Sequence, residues 1–142
     1  MKRLTLLGLF LIFIGGVIVE VIVTMGDEKI RLKANAITAH HYKNQFKSDI
    51  LKDTFTALGG VDAILQLQTL KDAKDYEKLQ LLLDKIDTVL IHQLVWSFAK
   101  TADIHIEPFY EWITNVDMPP ITEMLLEDGF VDLLVGNVYR KK

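Results

Sequence analysis

Few side chains in this 142-residue chain are spaced for chemistry. The histidines are His40, His41, His92 and His105. A helical zinc site needs two imidazoles three or four residues apart on one face, with a carboxylate nearby. His40 and His41 are adjacent, about 100° apart around a helix, so they cannot chelate as a pair. His92 lies among apolar residues, where a half-buried imidazole with one backbone partner is the ordinary case. The serines are Ser48 and Ser97, and neither lies in a GxSxG elbow. Gly15-Gly16 and Gly59-Gly60 are isolated pairs, without the GK[ST] or GxGxxG of a phosphate cradle. The acids Asp72, Asp75, Glu77, Glu123, Glu127 and Asp128 fall on polar faces and in loops, away from the apolar surroundings that tune a catalytic carboxylate. There is no cysteine, which excludes a disulfide scaffold, a thiolate zinc site and a Cys nucleophile. The reading is a non-catalytic chain without cofactor or metal.

Charge narrows the partners. Sixteen Lys and Arg stand against 19 Asp and Glu, a net charge of −3, and nucleic-acid binding wants a basic face. Tyr42, Phe46, Trp96, Phe98, Phe109, Tyr110 and Trp112 therefore read as core rather than as a base-stacking platform.

The elements that must position these residues begin after an atypical start. Residues 4–19 carry no charge, behind Lys2 and Arg3. Three readings of residues 1–16 as a hydrophobic leader stand open. They are a start codon that the native gene does not use, a membrane helix with Met1–Arg3 inside the cell, or a signal peptide. Residues 17–142 read as a single helical domain, with 14 bases against 19 acids.

Within that body, residues 17–25 are mostly β-branched, Gly26-Asp27-Glu28 is a turn signal, and residues 29–34 alternate polar with apolar. Strand, short turn and strand make a hairpin. Helices are expected next, with Thr38 capping the first, Ser48 the second, and Gly59-Gly60 closing the second. Residues 61–70 read as a further short helix, 71–74 as a solvated loop, and 76–85 as helical. Residues 88–102, with Asp87 as cap, read as the central buried helix. Pro108 opens a short helix, Pro119-Pro120 breaks the chain, and an apolar helical region follows from Ile121. The fold class is mainly α: an N-terminal β-hairpin followed by a compact bundle of about five to six helices.

The order of motifs carries a resemblance. After the hairpin comes HYKNQFKSDILKD, with Tyr42, Lys43, Phe46, Asp49, Ile50 and Leu51 in a Tyr-basic…Phe…Asp-apolar-Leu pattern. Later comes LVWSFAKTAD, with Trp96, Phe98, Ala99, Lys100, Thr101, Ala102 and Asp103, and then PFYEWI with Phe109 and Trp112. Over residues 18–138 this resembles the tail assembly chaperones of long-tailed bacteriophages and prophages of Gram-positive bacteria. Ser97 stands where that pattern has Ala, and the leader is an addition to it.

The resemblance implies a chaperone that binds the tape measure protein and keeps that long helical chain soluble while tail-tube subunits assemble around it. It further implies a host-cytoplasmic protein absent from the mature virion, with self-association and contact with the tail-tube protein as further possibilities. A small single-pass membrane-anchored protein is the alternative, should the leader be an anchor. The expected partner surface is Trp112 with the apolar C-terminal residues Leu125, Phe130, Leu133 and Leu134.

Overall fold

The computed structural model describes residues 19–127 and 129–136, so the readings of the leader lie outside the described residues. Strand β1 (Val19–Met25) turns at Gly26-Asp27 into β2 (Glu28–Ala34), pairing antiparallel from Val19↔Ala34 to Met25↔Glu28. Gly26 takes φ 66°, the left-handed value that a two-residue hairpin turn with glycine first requires. The alternation expected from the sequence holds. Val21, Val23, Met25, Leu32 and Ala34 are buried, while Ile22, Thr24, Lys29 and Arg31 face solvent. Across that outer face the Arg31 guanidinium donates to the Glu20 carboxylate.

Among the described residues eight α-helices follow: α1 (Ala36–Phe46), α2 (Ile50–Leu58), α3 (Val61–Ala73), α4 (Tyr76–Leu82), α5 (Thr88–Ala102), α6 (Phe109–Asn115), α7 (Ile121–Leu126) and α8 (Phe130–Gly136). A 3-10 turn, Leu83–Lys85, extends α4. The class is the expected one. The count is higher than five to six, in part because the region after Pro120 splits at Gly129 into α7 and α8.

Three local expectations shift. Asn35, not Thr38, caps α1, its side chain accepting from the Ile37 amide. Thr38 is the third residue of that capping box and accepts from the Asn35 amide. Asp49, not Ser48, caps α2, accepting from the amides of Leu51 and Lys52. Residues 71–73 continue α3 rather than forming a loop. That helix closes one residue later, where Lys74 adopts φ 59° and the Asp75 amide reaches back to the Leu70 carbonyl.

One core cluster gathers residues from β1 to α8. Helix α5 is its centre, as expected, with Ile91, Leu94, Val95, Trp96, Phe98 and Ala99 all buried. It packs on β2, α1, α2 and α6, while α8 covers β1 and reaches α3. Among the described residues no helix is long and apolar enough to cross a membrane.

Candidate functional site

The residues that could do chemistry are dispersed or committed to structure. Among the described residues no group of His, Asp and Glu is placed to hold a metal ion. His40 and His105 are exposed. His41 and His92 are partly buried, and desolvation holds both imidazoles below their usual pKa; the charges of Lys100 and His40 add to the effect at His41.

A polar seam joins α1 to α5. The Asn35 amide donates to Thr38 Oγ1, and Thr101 Oγ1 donates to the Ser97 carbonyl. The Thr38 hydroxyl proton therefore goes to Thr101 Oγ1, 2.7 Å away, and every group in the chain is satisfied. Next along the seam, the fully buried Tyr42 hydroxyl donates to Asp53 Oδ2 at 2.7 Å and lies 3.0 Å from Gln93 Oε1. The phenol has one proton, and the carboxylate is the stronger acceptor. Burial first, and then the bond to Asp53, push the Tyr42 pKa up, so it remains a donor.

The segments that carry the family resemblance turn out to build this scaffold. Phe46 is ringed by Tyr42, Trp96 and Phe109 at centroid distances of 4.7, 5.6 and 5.0 Å. Trp96 Nε1 donates to the Glu107 carbonyl, and Lys100 Nζ donates to the carbonyls of Ile104 and Ile106. Asp103 ends α5 and accepts from the His105 amide. These contacts fix the α5–α6 connection so that Phe109 and Trp112 enter the core.

The surface expected for a partner is not a surface. Trp112, Leu125, Phe130, Leu133 and Leu134 are all at most 4% exposed. Helix α8 turns its apolar stripe onto the hairpin, covering the β1 side of an inner face whose β2 side packs on α5. Of the five, Leu125 reaches the wall of an open groove.

Exposed apolar side chains gather instead around α4. On one side a groove of about 630 Å³ separates it from α3, lined by Leu65, Leu70, Leu81 and Leu82 with Lys78 and Lys85. On the other, a groove of about 290 Å³ separates it from α7, lined by Tyr76, Leu79, Leu83, Leu125 and Leu126. Leu81 is 72% exposed, and Leu65, Tyr76 and Leu126 are about half exposed. The signal was present in the sequence as the run LQLLLDK. A short helix has too little circumference to bury four leucines, so one or more must face out.

No family model, curated protein or solved structure matches this chain.

Proposed function

We propose that this protein is a non-catalytic tail assembly chaperone of the long-tailed phage type, which holds the tape measure protein in solution while tail-tube subunits polymerise. The observation that carries the reading is the apolar groove between α4 and α7, flanked by half-exposed Tyr76 and Leu126. A groove of this kind accepts one face of an amphipathic helix, the form in which an aggregation-prone helical chain presents its apolar residues. The order of the three motif segments supports it independently. On this reading the protein works in the host cytoplasm, has the tail-tube protein as a further partner, and is left out of the finished virion.

Co-expression of the full chain with the tape measure protein of the same tail gene cluster tests the reading. The client is expected in the soluble fraction, bound to the chaperone. Leu126→Glu, a change at an exposed position, should return it to the pellet while the chaperone stays folded. A tape measure protein that remains insoluble beside wild-type chaperone sinks the proposal.

A further inference from the structure

We infer that the α3–α4 face is a self-complementary interface, by which two copies of this chain associate with their α4 helices parallel about a two-fold axis. Leu81 is the most exposed aliphatic side chain on α4 and stands at the centre of the sequence EKLQLLLDK, residues 77–85. Counting about 100° per residue from Leu81, Glu77 and Asp84 fall roughly 40–60° to one side, and Lys78 and Lys85 a similar angle to the other. The 3-10 turn over the last three residues winds them somewhat further without moving either charge to the opposite side. A row of acids and a row of bases thus flank one exposed leucine.

The two rows differ in what surrounds them. Lys78 and Lys85 line the α3–α4 groove, whose other described walls are leucines and neutral polar residues. Lys78 has a loose contact to Asp75 at 3.9 Å, with 70% of its side chain exposed, and Lys85 has no carboxylate partner among the described residues. All four charged residues of the two rows are exposed.

Geometry then chooses the orientation. Two such helices side by side and antiparallel would set acid against acid and base against base. In parallel, a two-fold axis along their length brings the acid row of each against the base row of the other. Lys78 of one copy comes opposite Glu77 of the other, Lys85 opposite Asp84, and the two Leu81 side chains meet between them. The pairing is isologous, so it closes at two copies. So short a helix buries less than the roughly 800 Å² per partner of a standard interface, so the association is of the weak, transient class. The α4–α7 groove lies on the opposite flank and stays open.

Sedimentation velocity on the full chain, from about 1 to 500 µM, reads the association directly. Wild type should pass from monomer to dimer, with at least tenfold weakening at high salt. Lys78→Glu/Lys85→Glu, acidic on both rows, and Glu77→Lys/Asp84→Lys, basic on both, should each weaken it at least tenfold while keeping the wild-type circular dichroism. An equimolar mixture of the two variants should dimerise again, because each row then faces its opposite. The inference is overturned by a wild type monomeric throughout, by a dimer indifferent to both variants, or by a mixture that fails to reassociate.

Discussion

Tyr42 and Leu133 show how one side chain's role depends on neighbours far away in sequence. Tyr42 and Asp53 lie on successive helices, and the bond between them exists only once α1 and α2 fold against α5. The sequence marked Tyr42 as core and as part of a motif, but its proton acceptor could not be read without that packing. Tyr42→Phe leaves the buried Asp53 carboxylate without its donor. It should cost about 1–3 kcal/mol, seen as a lower urea midpoint with unchanged slope. Leu133 was expected on a binding face because an apolar stripe looks the same whether it meets a partner or the protein's own sheet. With Leu133 fully buried, Leu133→Asp puts a carboxylate into the core. That change should unfold a domain whose whole stability is roughly 5–15 kcal/mol, so its circular dichroism should lose helix signal rather than only partner binding. A folded Leu133→Asp protein would contradict the packing of α8 on the hairpin.

At the scale of elements, boundaries rest on which polar residue has the extended backbone of a cap, not on which polar residue comes first. Ser48 and Asp49 are both good capping types, and Asp49 holds the position, with φ −87° and ψ 123°. Asp49→Ala should therefore cost about 1 kcal/mol, and Ser48→Ala should stay within about 0.5 kcal/mol, in the same thermal melt. The reverse order would return the cap to Ser48. The hairpin was legible in kind and place, from β-branched residues, a turn signal and the alternation over 29–34, but Glu28, read with the turn, opens β2 opposite Met25 and leaves a two-residue turn. The 15-residue α5 was legible to the residue, since a long helix with an Asp cap has little freedom of assignment. The short helices were not. Residues 71–73 are charged and polar enough to pass for a loop, and only the left-handed Lys74 reveals where α3 stops. That a leucine of α4 faces out was legible in the run LQLLLDK, but that it is Leu81 was not, because the run does not say which side its neighbours cover.

For the whole molecule, partly buried imidazoles make stability depend on pH. His41 and His92 have pKa values below the usual 6.5 in the folded protein, so the unfolded chain binds more protons as pH falls through that value. Stability from this source is complete above about 6.5 and is lost on acidification below it. The urea midpoint should therefore drop between about pH 7.5 and about pH 5.5, and a His41→Gln/His92→Gln protein should show a flatter dependence over that interval. An equal drop in both proteins would assign the effect to other groups. The packing of β1 against α8 also has a consequence for synthesis. Val21 and Val23 are made before the helix that covers their strand, which follows about 110 residues later, about 5–20 s at an elongation rate of roughly 5–20 residues per second. Until α8 is made, the β1 half of the hairpin's apolar face stays without its cover in the nascent chain, even after α5 has packed on β2.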